Sequence, residues 1–350
     1  MLSFINYPSW LTPEIFPGLL PIRWYGLMYI AAFVTAYFLV RKQVKEKNFE
    51  ITNDNLVNLF SWGILGILLG ARIFHALVYD TSGVYWLLRW DSITQSWVWG
   101  NPLLIFWPFD KNFNFTGLQG MSYHGGVIGG VIAIFTFCKL KKICFFKLGD
   151  MLAVAIPAGY TFGRLGNFAN AELYGRVTTA PWGMVFPNAM PFNIRETWVA
   201  EVAAKVGMDL SAVGTFVNLP RHPSQLYQAL LEGIILWAFL WFFMRKRNFA
   251  PGTLIGTYFI GYGFVRFFIE YFRAPDRNIG FILQLSSKPS HIYRLDSFLN
   301  FTLGQLLCFL MIAGGALFIF YAYKRQRREL TEPEKAPPIK PPSNMHKKRK

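Results

Sequence analysis

Seven stretches of this chain, at about 24–40, 56–78, 124–138, 150–167, 226–244, 252–272 and 303–323, are apolar enough to read as membrane spans. Crossing a bilayer takes about 20 mostly apolar residues as a helix, because lipid offers no partner to an unpaired backbone amide. The third stretch is short, and the fourth and sixth carry charges near one end. A chain built this way is expected to be an all-α integral membrane protein with seven transmembrane helices. Composition agrees: 53% of the residues are hydrophobic and only 15% are charged, against about 25% in soluble domains. That is too little charge to coat a soluble globule and too much apolar surface for a disordered chain.

The net charge of +16 raises the question of a nucleic-acid partner, and the placement of the charge answers it. The blocks Arg41–Lys47, Lys139–Lys147, Arg245–Arg247 and the tail from Lys324 hold 21 of the 35 basic residues, each directly after an apolar stretch. This is the bias of cytoplasmic loops, so membrane lipid rather than nucleic acid is the expected partner. With all four blocks inside, the seven spans alternate, the N-terminus lies outside and the C-terminus lies in the cytoplasm. Residues 1–323 then form one membrane domain with outer segments at about 79–123, 168–225 and 273–302. Residues 324–350 form a basic tail, expected to be disordered and held near anionic lipid. Residues 1–20 lack a basic leader, so no cleavable signal peptide is expected. Trp86, Trp90, Trp97, Trp99 and Trp107 suit a segment lying among headgroups. Three cysteines without a CxxC pair, and histidines without metal-ligand spacing, predict no disulfide framework or zinc site.

Ionisable groups inside spans are costly unless paired or hydrated. Those expected here are Arg72, Arg164, Glu232, Arg266 and Glu270, with the polar Asn167 beside them; Arg273 and Asp276 follow closely, and Arg277 is placed in the solvated outer loop. Arg266 and Glu270, four apart on one helix face, can equally be a structural pair. Under the topology above, Arg72, Arg164, Arg266 and Arg273 share the outer half of their helices. Arginines at one membrane depth suit a lipid phosphate, which the guanidinium fork binds bidentately. Gly66 with Gly70, and Gly125, Gly126, Gly129 and Gly130, read first as tight helix packing; Gly125 and Gly126 follow His124 directly and are allowed a second role.

Three stretches then carry a resemblance: Gly163–Gly175 (GRLGNFANAELYG), Tyr123–Gly126 (YHGG) and Arg221–Tyr227 (RHPSQLY) followed by Glu232. Together they are similar to the prolipoprotein diacylglyceryl transferase family. Weaker echoes at Trp24–Gly26, Gly70–Arg72, Tyr262–Arg266 and Gly304–Gln305 keep the same order along the chain. The segment at about 188–220 is longer than the resemblance leads one to expect. What the resemblance implies is a seven-helix body with periplasmic arm and head elements in the bacterial inner membrane. It also implies a reaction moving the diacylglyceryl group of phosphatidylglycerol onto the lipobox cysteine of a prolipoprotein, without metal or soluble cofactor. It places His124, Arg164 and Arg266 at the essential positions, and Tyr25, Asn167, Glu172, Gly175, Tyr262 and Glu270 at functionally important ones. The chemistry of the residues is compatible: cationic donors stabilise a departing phosphate ester. A thiol with a usual pKa of about 8.5 needs a base or a cationic environment, and His124 offers either. A lipid or anion transporter using the same arginines only to bind, and a non-catalytic scaffold, remain the alternatives from other classes.

Overall fold

Each of the seven apolar stretches coincides with a helix in the computed structural model, which describes residues 4–16, 20–79, 88–91, 95–99, 101–109, 113, 120–211, 214–275, 280–286 and 291–331. The helices are α1 (Trp24–Glu46), α2 (Asn53–Tyr79), α3 (Tyr123–Lys141), α4 (Phe145–Ala169), α5 (Thr197–Lys205), α6 (Ser224–Met244), α7 (Thr253–Ile269) and α8 (Leu303–Thr331). By length and composition α1, α2, α3, α6 and α8 are able to cross a membrane. At 17 residues, α7 spans only about 25 Å, short of a hydrocarbon core of about 30 Å. The 25 residues of α4 are long enough, but Lys147, Asp150, Arg164 and Asn167 dilute its apolar character. Large apolar side chains such as Leu65, Ile132, Phe243, Phe264, Phe309 and Phe320 are exposed on these helices, an arrangement that belongs in lipid rather than water. The protein is a multi-pass membrane protein.

Two units make up the chain, residues 1–36 with 149–350 and residues 37–148. In the second, the Thr52 hydroxyl caps α2 at 3.2 Å from the Asn55 amide, and Ser122 caps α3 in the same way at Gly125. The two helices pack so closely that a Cβ at Gly70 would strike the Gly125 carbonyl, and one at Gly125 the Gly70 carbonyl. Gly66 and Gly129 repeat the contact one turn away. Gly125 therefore has a full packing explanation.

In the first unit, Asp150 of α4 caps α7, accepting from the Gly252 and Ile255 amides at 2.7 and 3.0 Å. The long segment around 188–220 is a small folded element rather than an open loop. Val177, Phe192, Val199, Val202, Ala203, Val217 and Leu219 form its core, with α5 beside an antiparallel pair of short strands, Phe192–Asn193 and Phe216–Val217. Ile5–Asn6 pairs in parallel with Met184–Val185. Residues 324–331, expected to begin a disordered tail, are instead the last turns of α8, where Arg325 and Glu329 pair at 3.4 Å one turn apart. Residues 332–350, Asp276, Arg277 and Trp86 lie outside the described residues.

Candidate active site

Several charged and polar side chains of the first unit are linked in a continuous chain. Arg164 on α4 donates from Nε to the Tyr160 hydroxyl one turn earlier, at 2.7 Å, and from Nη1 to Asn167 Oδ1 at 3.2 Å. The Tyr160 hydroxyl donates onward to Glu232 Oε2 on α6. Glu232 is fully buried and lies with Oε1 3.6 Å from Arg266 Nη1 of α7. Arg266 Nη2 donates to Glu270 Oε2 at 2.8 Å, and Glu270 pairs with Arg273 at 3.5 Å. Thr302 donates to Glu270 Oε1 at 3.3 Å, while its amide donates to Gln305 Oε1 at 3.0 Å. Ala229–Ile235, which carry Glu232, are π-wound, a widened turn common where a helix presents a functional side chain. The Nη2 edge of Arg164 makes no hydrogen bond among the described residues. A guanidinium fixed by two edges with a third uncommitted is a preorganised anion donor.

Local backbone geometry explains why Asn167 and Glu172 join this cluster. After α4 ends, Ala171 (φ 52°) and Leu173 (φ 55°) both adopt left-handed conformations around Glu172. Such non-glycine conformations cost about 1–3 kcal/mol each and persist only where surroundings enforce them. The enforcing groups come from the Arg221–Tyr227 stretch: Gln225 Nε2 donates to the Glu172 carbonyl at 2.6 Å, and Ser224 Oγ to the Leu173 carbonyl at 3.1 Å. Glu172 Oε1 thereby accepts from Asn167 Nδ2 at 2.9 Å and Asn170 Nδ2 at 3.3 Å. Asn167 thus bridges Arg164 and Glu172. Gly175 donates its amide to the His222 carbonyl at 2.8 Å, and a Cβ there would collide with the Phe272 carbonyl; close packing accounts for the glycine. Tyr25 lies against Gly166 and shares a 3.1 Å hydrogen bond with Tyr29. Tyr262 meets the Tyr160 ring edge-on at 5.7 Å.

Outside the helices of this unit, burial pushes the His222 imidazole down to about 4, with nearby Arg176 adding to the shift. Its Nδ1 lies 3.1 Å from the Tyr227 hydroxyl. Arg176, itself buried, donates to the carbonyls of Arg273 and Arg294 at 3.0 and 2.9 Å, tying three segments together.

His124 belongs to the second unit. It is the second residue of α3, and its Nδ1 lies 3.1 Å from the hydroxyl of Tyr79, at the π-wound end of α2. Arg72 of the same unit is buried and directs its guanidinium at backbone, donating from Nε to the Ile105 carbonyl and from Nη1 to the Gly120 carbonyl at 3.1 Å. These bonds tie α2 to backbone outside it. Among the described residues no three His, Cys, Asp or Glu side chains are grouped to hold a metal ion.

The structure thus gathers Arg164, Asn167, Glu172, Glu232, Arg266 and Glu270 into one network, with Tyr262 packed against it. Sequence reasoning missed Tyr160, Thr302 and Asp150. The signal for Tyr160 was its position four residues before Arg164 on one helix face; an aromatic residue in a span simply reads as core.

A family model described as prolipoprotein diacylglyceryl transferase matches residues 13–321. A protein of Treponema denticola named phosphatidylglycerol–prolipoprotein diacylglyceryl transferase is 48% identical over 346 residues, covering 94% of this chain and 98% of its own. The Treponema pallidum protein of the same name is 43% identical (93% and 98% covered), and that of Chlorobaculum tepidum 38% (93% and 96%).

Proposed function

Because this chain belongs to the prolipoprotein diacylglyceryl transferase family, we infer that it transfers the diacylglyceryl group of phosphatidylglycerol to the lipobox cysteine of a prolipoprotein. This is the first step of lipoprotein maturation. A C–S bond forms at the glyceryl carbon, the C–O bond to phosphate breaks, and its electron pair leaves with glycerol phosphate. The observation that best supports a site for this step is the chain from Arg164 through Tyr160 and Glu232 to Arg266.

Negative charge grows on the phosphate ester as the C–O bond breaks, so fixed cationic donors favour the transition state over the ground state. Arg164 and Arg266 take this role, the first through its uncommitted Nη2 edge. Asn167 and Glu172 hold Arg164 in register, and Glu270 does the same for Arg266. Tyr25 and Tyr262 contact the headgroup. His124, its Nδ1 oriented by the Tyr79 hydroxyl, accepts the thiol proton at Nε2. The reaction proceeds at the periplasmic face of the bacterial inner membrane, with seven spans, the N-terminus outside and the C-terminus in the cytoplasm. The short α7 is accommodated beside longer helices by local thinning or protein burial.

Purified protein incubated with phosphatidylglycerol and a lipobox peptide should yield the diacylglyceryl thioether by mass spectrometry. A transporter or scaffold would return the peptide unmodified. Orientation has its own test. With the native cysteines replaced, cysteines at the exposed positions Asn101 and Asp209 should react with an impermeant thiol reagent in intact cells, and one at Glu46 should not. The reverse pattern would put the arginine network on the wrong face.

A further inference from the structure

Tyr160 stands at the joint of the network, and nothing in the reaction chemistry calls for it. Its hydroxyl accepts from Arg164 Nε at 2.7 Å and donates to Glu232, whose other oxygen faces Arg266. The Arg164 guanidinium carbon also lies 4.8 Å from the centre of the Tyr160 ring, while Tyr262 buttresses that ring edge-on. One side chain therefore contacts Arg164 both by hydrogen bond and by ring face, and links it through a single carboxylate to Arg266. Without the hydroxyl, the fully buried Glu232 loses a donor at Oε2, and Arg164 Nε loses its acceptor. The guanidinium then keeps one hydrogen bond, to Asn167 from Nη1, and the non-directional ring contact, which together fix its plane less tightly.

We propose that Tyr160 is a positioning residue for the transfer reaction, its hydroxyl locking the Arg164 guanidinium and coupling it through Glu232 to Arg266 so that both arginines meet the departing phosphate in fixed register. The proposal rests on the reading of Arg164 as a transition-state donor. Tyr160 itself touches neither the lipid nor the thiol. Its hydroxyl acts through the geometry of Arg164, so its loss is felt where charge develops rather than where the lipid first binds.

The test is a double-mutant cycle on the full-length protein in nanodiscs of phosphatidylcholine with varied phosphatidylglycerol, using a lipobox peptide and thioether detection. Tyr160→Phe should lower kcat by about tenfold to a hundredfold, the range for a lost hydrogen bond to a charged group. The apparent KM for phosphatidylglycerol and the melting temperature should stay near those of the parent. In an Arg164→Lys background, the same substitution should change kcat by no more than about twofold, because the group it positions is gone. Wild-type kcat in Tyr160→Phe, or equal fold losses in both backgrounds, would overturn the positioning role while leaving the arginine reading intact. A loss explained by a lower folded fraction, seen as a fall in melting temperature, would overturn it equally. If Arg164→Lys alone retains normal turnover, the arginine reading fails and this proposal with it.

Discussion

Arg72 and Arg164 are both arginines within apolar helices, yet their surroundings differ in kind. Arg72 donates to the carbonyls of Ile105 and Gly120, two points of backbone outside its helix. Arg164 donates to side chains, Tyr160 and Asn167, which are themselves held by Glu232 and Glu172. A backbone carbonyl fixes a guanidinium and thereby a loop. Side-chain acceptors in a network fix a guanidinium while leaving its remaining edge for a ligand. A buried arginine is thus not by itself a sign of a substrate site.

The comparison can be sharpened by what each unit loses on substitution. The largest effect outside the arginines is expected at His124. His124→Gln should cut turnover by about 10²–10⁴, the typical worth of general-base assistance. It should recover in part as pH rises toward the thiol pKa, while phosphatidylglycerol affinity holds. A flat, low profile with weakened lipid binding would leave His124 as a helix-end contact.

Arg72→Lys should instead cost stability. Leaving a buried carbonyl without its donor costs about 1–3 kcal/mol, read as a lower melting temperature, with turnover per folded molecule within about twofold of the parent. A collapse of turnover without a change in stability would erase the distinction between the two arginines.

His222 supplies a pH test of the first unit. Its folded-state pKa of about 4 lies below its usual 6.5, so the folded form disfavours the proton. Its contribution is intact above about pH 6.5 and is lost as pH falls toward 4. Thermal stability should decline across that window, and less steeply in His222→Gln; equal slopes would remove His222 from the acid response. The smallest effect is at the α7 cap. Asp150→Ala should cost about 0.5–2 kcal/mol, the range for a lost N-cap, measured by denaturation in detergent. No change would mean that solvent or lipid satisfies the Gly252 and Ile255 amides.

Much of this arrangement was legible in the sequence. The helices could be read because apolar runs of that length leave few alternatives, and Arg164, Asn167, Glu232, Arg266 and Glu270 because polar groups stand out against them; Glu172 came only from the family resemblance. The Arg266–Glu270 pair followed from its spacing. Three features did not follow. The left-handed turns at Ala171 and Leu173 depend on Ser224 and Gln225, some fifty residues away, and no local propensity predicts them. The core of the 188–220 segment is built from short strands and one short helix, each too brief for periodicity to register. The extension of α8 to Thr331 was hidden because Lys324–Arg328 reads by charge as tail, although Arg325 and Glu329 are spaced to support a helix.

The central claim, that Arg164 serves the departing phosphate rather than merely balancing Glu232, is tested most directly by the turnover of Arg164→Lys. Lysine keeps the charge and removes the fork. The account predicts a fall of about 10²–10³ in kcat, the usual cost of losing one transition-state donor, in protein that inserts and melts normally. Near-normal thioether formation by this variant would contradict it and leave Arg164 as a structural ion.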